Sequence, residues 1–200
     1  VLYVAINQQF VGYLVIADKI KQDASAAITS LKKNNVKKVI MLTGDKKEVG
    51  EAIAKQLGMD EVYAELLPDG KVEKVEAFLK QKNPKRKLAF VGDGINDAPV
   101  LAMADIGIAM GGLGSDAAIE AADIVIMTDE PSKIVNAMHI SKKTMRIVRQ
   151  NIIFAIGVKI AVLLLSAFGL SSMWGAVFAD VGVSVIAIIN SLRVLFTRKG

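Results

Sequence analysis

Two apolar runs near the end of the chain constrain its fold more than any other feature. Residues 152–170 read IIFAIGVKIAVLLLSAFGL, and residues 174–192 read WGAVFADVGVSVIAIINSL. Each approaches the roughly 20 residues a helix needs to cross a hydrocarbon core of about 30 Å. Only Ser171 to Met173 separate them, so the two helices are expected to be antiparallel neighbours, with Trp174 at the membrane interface. Composition agrees: the chain is 52% hydrophobic with mean hydropathy +0.42, too apolar for an ordinary soluble domain and leaving little room for disorder. The competing reading, a buried helical hairpin in a soluble protein, fits the run lengths and flanks less well. The absence of Cys excludes a disulfide scaffold, thiolate zinc sites and cysteine catalysis. The chain opens on Val1 without a signal-peptide pattern, which suggests a piece of something longer.

A net charge of +5 invites a nucleic-acid reading until it is divided. Residues 1–140 hold 17 Lys/Arg against 19 Asp/Glu, a balance of 17 − 19 = −2, whereas residues 141–200 hold 8 Lys/Arg against Asp180 alone, a balance of +7. The basic excess clusters at Lys142, Lys143, Arg146 and Arg149 before the first run, and at Arg193, Arg198 and Lys199 after the second. Both flanks of a hairpin fall on one side, which the positive-inside rule makes cytoplasmic, together with residues 1–140. No nucleic-acid partner is expected; the partner is the bilayer.

The front of the chain alternates strand-like and helix-like stretches. Val36–Leu42 predicts a strand ending at Thr43-Gly44-Asp45, and Glu48–Leu57 has helical spacing that Gly58 stops. Lys71–Leu79 predicts a helix and Lys87–Val91 a strand, followed by the loop GDGINDAP (residues 92–99) and a helix through Ala104. Short strands are expected at Ile106–Ala109 and Ile124–Met127. The alternation implies an open parallel α/β sheet, with ligands beyond the carboxyl ends of its strands. Residues 1–130 are assigned to this domain, 131–150 to an amphipathic connecting helix, and 151–200 to the membrane pair.

The residues in those strand-end loops suit phosphoryl transfer, in which positioning and charge neutralisation do most of the work. Asp93 and Asp97 can approach one hard cation; Mg²⁺ commonly takes one or two carboxylates and fills its shell with water and phosphate. Gly92 and Gly94 permit a tight turn close to a phosphate. Thr43 and Gly44 can bond phosphoryl oxygens, Lys71 supplies a mobile positive charge, and Asn96 is the candidate cofactor contact. Taken alone, Thr43-Gly44-Asp45 is also a common turn with a helix cap at Asp45, and Pro68-Asp69-Gly70 an ordinary turn before Lys71. GDGINDAP is more specific, since a structural turn has no need of four polar positions after a hydrophobic strand. The glycine run Met110–Ser115 lacks a Walker pattern, and His139 reads as a solvated residue.

Lys159 and Asp180 are charges inside the apolar runs, each costing a few kcal/mol at a bilayer centre unless paired or hydrated. Counted from the loop, they lie at depths of roughly 16 and 10 Å, a difference one lysine side chain can bridge. A mid-membrane ion pair is therefore feasible, serving either a transported ion or the helix register alone.

Taken together these residues resemble the P-type ATPases, and within them the heavy-metal pumps that export zinc, cadmium and lead. The likeness runs over essentially the whole chain: MLTGD at 41–45, GDGINDAPVLAMADIGIAMG at 92–111, AADIVIM at 121–127, Gln150-Asn151, Lys159, Ala179-Asp180-Val181-Gly182, and Asn190-Ser191-Leu192-Arg193. The resemblance implies that the front is the C-terminal part of a phosphorylation domain of the haloacid dehalogenase type, and that the two helices are a final membrane pair. It makes Asp93 the Mg²⁺ ligand with Asp97 its companion, Thr43, Gly44 and Asp45 the phosphate-side segment, and Lys71 the lysine that contacts the phosphoryl group. Lys159 and Asp180 become the transported-metal site and its counter-ion, and the cofactors Mg²⁺ and ATP.

Several family segments are absent from these residues: the DKTG that carries the phosphate-accepting aspartate, the TGE of the actuator domain, a Cys-Pro-Cys membrane motif, and most of the nucleotide domain. Where the family has proline, glutamate, aspartate and lysine, this chain has Pro68-Asp69-Gly70-Lys71. It therefore looks like the last third of a multi-pass pump whose remaining polypeptide is its partner, and these 200 residues alone are expected to form no acyl-phosphate. Two other readings remain: a membrane-tethered phosphatase of the same superfamily, for which only Asp18 is placed early enough to be the nucleophile, and a noncatalytic half of a split transporter.

Overall fold

The computed structural model describes residues 2–14, 19–92, 95–111, 116–170 and 173–196. The chain divides into two compact units, Val1–Ser132 and Lys133–Gly200.

The first unit opens with a hairpin of β1 (Leu2–Ile6) and β2 (Gln9–Leu14), joined through Asn7 and Gln8, both at positive φ as a two-residue primed turn requires. There follow α1 (Ala24–Lys33), β3 (Ile40–Leu42), α2 (Lys47–Leu57), β4 (Glu61–Tyr63), α3 (Pro68–Gln81) and β5 (Ala89–Gly92). A single 3₁₀ turn, Ile95–Asp97, leads into α4 (Ala98–Met103), then β6 (Ile106–Met110), α5 (Asp116–Ala121) and β7 (Ile124–Ile126). The pairing of β3 with β4, and of β5 with β6 and β6 with β7, is parallel, as a strand–helix alternation dictates.

The core lies around β6. Leu101, Val75 and Val100 are the largest fully buried side chains, and Ile108, Ala109, Met110, Ala118 and Ile126 join them among the buried residues. At Gly107 a Cβ would stand 2.5 Å from the backbone oxygen of Leu101, so only glycine lets α4 lie this close to the strand.

Three aspartates fix where parallel strands begin. Asp60, just before β4, accepts the Val39 backbone N–H at 2.7 Å; Asp105, before β6, accepts that of Leu88 at 2.8 Å; Asp123, before β7, accepts that of Gly107 at 2.8 Å. Each side chain pairs a donor that the neighbouring strand's ladder leaves open at its start.

The observed elements depart from the expected ones in informative places. Among the described residues the strands form two separate parallel sheets and the hairpin, rather than one continuous sheet; apolar runs mark strands but not which neighbour each one bonds. The Pro68-Asp69-Gly70 sequence is no turn but the first turn of α3, with Pro68 where its fixed φ favours a helix and its missing N–H costs nothing. Asp45 does not cap α2: the cap position is Lys46, without a side-chain bond. Gly58 does end α2, in the left-handed conformation at φ +70°, with Met59 N–H bonded back to Ala54 O at 2.9 Å.

The second unit is a pair of helices. Here α6 runs unbroken from Ser132 to Ala167, so the amphipathic and apolar stretches that read as two elements are one helix of 36 residues. No proline lies after Pro131, and a change in side-chain polarity does not interrupt a backbone ladder. It closes on Gly169 at φ +72°, with Leu170 N–H bonded to Leu165 O. Its partner is α7 (Met173–Leu192). Asn151 of α6 bonds residues 187–191 of α7 while Lys159 faces Asp180, so the pair is antiparallel. Among the described residues α6 is the helix long and apolar enough to cross a membrane; α7 contributes a shorter apolar stretch, Ala179–Leu192.

Candidate functional site

In the first unit the site forms where β5 and α3 meet. β5 delivers the chain to Gly92, and the 3₁₀ turn returns Asp97 over the strand end. A Cβ at Gly92 would come within 2.9 Å of both Cβ and Oδ2 of Asp97, so this return needs glycine. Asp97 is the buried charged residue among those described, 8% exposed. Across from it the first turn of α3 projects Lys71, whose Nζ donates to Asp97 Oδ1 at 2.8 Å. The two side chains are 20% and 12% exposed, so the pair is largely withdrawn from water and depends on its own geometry.

Thr43-Gly44-Asp45 follows β3 and is closed on itself: the Thr43 hydroxyl donates to Asp45 Oδ2 at 2.8 Å and accepts the Asp45 N–H at 3.1 Å. The same loop is tied to the segment that feeds α3, through Glu65 N–H to Asp45 O at 2.9 Å and Leu66 N–H to Thr43 O at 3.1 Å. Gly44 lies with a notional Cβ 3.3 Å from Leu66 O. The loop is thereby fixed relative to the start of the helix that carries Lys71, which the spacing of 43–45 and 71 does not reveal. Asn96 is exposed. Asp93 and Gly94 lie outside the described residues.

Asp97 fits a hard cation by chemistry, since its donors are carboxylate oxygens, Oδ1 held by Lys71 and Oδ2 over Gly92. Among the described residues no group of three or more His, Cys, Asp or Glu side chains gathers as a ready metal cage.

Asp105 was not singled out by its sequence, although its carboxyl is strongly perturbed. The Leu88 backbone N–H first, then the Lys82 and Lys87 ammonium groups at 3.1 and 3.3 Å, lower its pKa to about 2. Asp60 is likewise lowered, by Lys32 at 2.6 Å and the Val39 N–H. The available signal is an aspartate immediately before a short apolar strand, repeated at positions 60, 105 and 123.

In the second unit Lys159 Nζ lies 3.8 Å from Asp180 Oδ1, with side chains 78% and 76% exposed. The expected pair is present, and it is open.

A parallel α/β unit that sets a buried lysine–carboxylate pair at a strand's carboxyl end is built as phosphate-handling hydrolase domains are. Residues 2–105 match the haloacid dehalogenase-like hydrolase family, and the chain belongs to it. Along 98% of its length it is 60% identical to a cadmium, zinc and cobalt-transporting ATPase of Bacillus subtilis (strain 168), and along 97% it is 54% identical to a zinc-transporting ATPase of Synechocystis sp.. It spans only 28% and 27% of those relatives. The crystal structure of a zinc-transporting PIB-type ATPase in its E2.Pi state superposes with a TM-score of 0.82 and 38% identity, over 96% of this chain and 31% of that one.

Proposed function

We propose that these residues are the C-terminal part of a multi-pass membrane pump that uses ATP to export a divalent heavy metal through an aspartyl-phosphate. The observation that carries the reading is the Lys159–Asp180 pair on two apolar helices, in a chain this similar to ATPases named for zinc and cadmium transport. Residues 1–130 act as part of the phosphorylation domain, 131–150 as the connection, and 151–200 as membrane helices, with the soluble part on the cytoplasmic side of a plasma membrane.

In this reading the γ-phosphoryl of ATP passes to a carboxylate supplied by polypeptide outside these residues, and water later releases it as inorganic phosphate. Lys71 neutralises charge on the transferring group, and Asp97 aims Lys71 by holding its ammonium at 2.8 Å. Thr43 and Gly44 offer the phosphoryl oxygens a hydroxyl and an amide, while Asp45 orients the Thr43 hydroxyl. Asn96, exposed on the same loop as Asp97, is a cofactor contact. Asp93 and Asp97 would hold Mg²⁺, which supplies charge neutralisation when bound. The hard carboxylate of Asp180, on helices without Cys, favours Zn²⁺ over Cu⁺, which prefers sulfur; Cd²⁺ and Pb²⁺ belong to the same substrate class.

The test is metal-dependent ATPase activity of the full-length pump, with Zn²⁺ and Cu⁺ side by side. Asp180→Ala is expected to abolish zinc-stimulated turnover while phosphorylation from inorganic phosphate persists. Lys159→Ala should slow metal release more than metal binding. Activation by Cu⁺ alone, or full zinc activity without Asp180, would overturn the assignment.

A further inference from the structure

An amide network crosses the helix pair eight residues before Lys159. The Asn151 side-chain amide donates to Ala187 O at 3.1 Å and to Ser191 Oγ at 3.0 Å, and its oxygen accepts Asn190 Nδ2 at 2.8 Å. Arg193 completes the chain by donating to Asn190 Oδ1 at 2.9 Å. The same polar groups border a crevice of about 360 Å³ whose other walls include Phe154, Ile186 and Ile189. In apolar surroundings a side-chain amide left unpaired is costly, and the two asparagines satisfy each other in one relative position of the helices only.

We infer that Asn151 and Asn190 are positioning residues that set the register of α6 against α7 and thereby bring Lys159 opposite Asp180. This rests on the proposed transport role of that pair and assigns its alignment to residues that do not touch it. From Asn151 to Lys159 is roughly 12 Å along α6, and from Asn190 back to Asp180 roughly 15 Å along α7, at about 1.5 Å per residue. The amide network and the ion pair are thus two rungs of one antiparallel register. A slip of one residue would turn a helix by about 100° and shift it about 1.5 Å. At 3.8 Å the ion pair has no slack to absorb that turn, and with both side chains open it has little packing of its own to hold it. An asparagine that fixes register is the best-attested use of a polar group between helices, and Asn151 and Asn190 are half-buried in this seam.

The experiment uses the full-length pump with Asn151→Leu, Asn190→Leu and the double variant, leucine keeping the branched skeleton and removing the hydrogen bonds. Zinc half-activation, ATP half-activation and phosphorylation from inorganic phosphate are measured. Each single change is expected to raise zinc half-activation about five- to tenfold, equivalent to about 1 to 1.4 kcal/mol, with the other two readings unchanged. The double variant should be no worse than either single one, because both dismantle one network. Asn151→Gln, which retains the amide, should recover part of the loss. Unchanged zinc half-activation, or equal losses for zinc and ATP, would overturn the inference. Should the leucine variants fail to fold, Ser191→Ala decides: it removes one acceptor of Asn151 and should raise zinc half-activation about twofold, and no change would sink the idea. If Asp180→Ala itself keeps zinc activity, the transport reading has failed; if Asp180→Ala abolishes it while the asparagine variants do nothing, only the register role has failed.

Discussion

Each unit of this chain carries a lysine–aspartate pair at its candidate site, and the two are held differently. Lys71 and Asp97 meet at 2.8 Å with about a fifth or less of each side chain exposed, locked between a helix start and a glycine-lined strand end. Lys159 and Asp180 stand 3.8 Å apart with more than three-quarters of each exposed. The difference teaches what each can do. A buried pair cannot exchange partners without stranding a charge, so it serves as a fixed instrument for charge that arrives and leaves on a ligand. A looser pair leaves room for a metal to enter between its members, where the metal's own charge replaces the partner that parts.

The sharpest way to break this contrast is to remove the lysine from each pair. Lys71→Ala leaves the Asp97 carboxylate buried without its partner, and losing one member of a buried pair costs about 3 to 5 kcal/mol. Phosphoenzyme formation in the full-length pump should fall by about a hundredfold or more, in line with the loss of a group that stabilises transition-state charge. Lys159→Ala should leave phosphoenzyme formation far less affected and slow metal release instead, because its lysine lies on the membrane pair. Phosphoenzyme levels and metal release in both variants check this, and an equal loss of phosphoenzyme would erase the distinction between them.

A smaller effect sharpens the cause of the first pair's rigidity. Gly92→Ala sets a methyl 2.9 Å from Asp97 Cβ and Oδ2 and 3.1 Å from the Phe90 ring. Overpacking of this kind costs about 1 to 3 kcal/mol. Because the displaced atom belongs to Asp97, phosphorylation should fall by more than the stability loss alone accounts for. The readouts are a thermal melt and the phosphorylation level of the same preparation. Full phosphorylation in Gly92→Ala would show that Asp97 need not lie over the strand end.

Much of this was legible because local rules and tertiary demands agree. Lys87–Val91 is mostly apolar and short, and the observed β5 overlaps it at Ala89–Gly92; Gly58 stops α2 in the left-handed conformation that glycine adopts without steric cost. Where two local rules compete, the sequence misleads: Pro-Asp-Gly fits a turn and a helix start equally, and packing of Val75 in the core favours the helix. The hairpin 2–14 went unread because both its faces carry large apolar side chains, among them Leu2, Tyr3, Phe10 and Tyr13, which erases the alternation that marks a strand. The Lys71–Asp97 contact joins residues 26 apart, and the strand-start aspartates reach across 16 to 21 positions; no periodicity reports such distances. The Lys159–Asp180 pair was readable because only Ser171 to Met173 separate the two apolar runs, so the depth of each charge can be counted from that link.

Asp105 offers the smallest and most specific test, since it lies between the two pairs in character: a carboxylate clamped by a backbone N–H and two lysines, yet structural. Its pKa is about 2 in the folded chain, below the ordinary value of about 3.9 for an unfolded aspartate. A depressed carboxyl stabilises the fold where it is ionised, so the contribution is complete above the unfolded value and is lost as pH falls through the folded one. Asp105→Asn should therefore melt below the parent chain at neutral pH, and the gap should narrow between about pH 4 and pH 2. Melts of the two proteins across that range decide the point: a gap for Asp105→Asn that stays constant down to pH 2 would mean that the lost charge is not what the substitution costs.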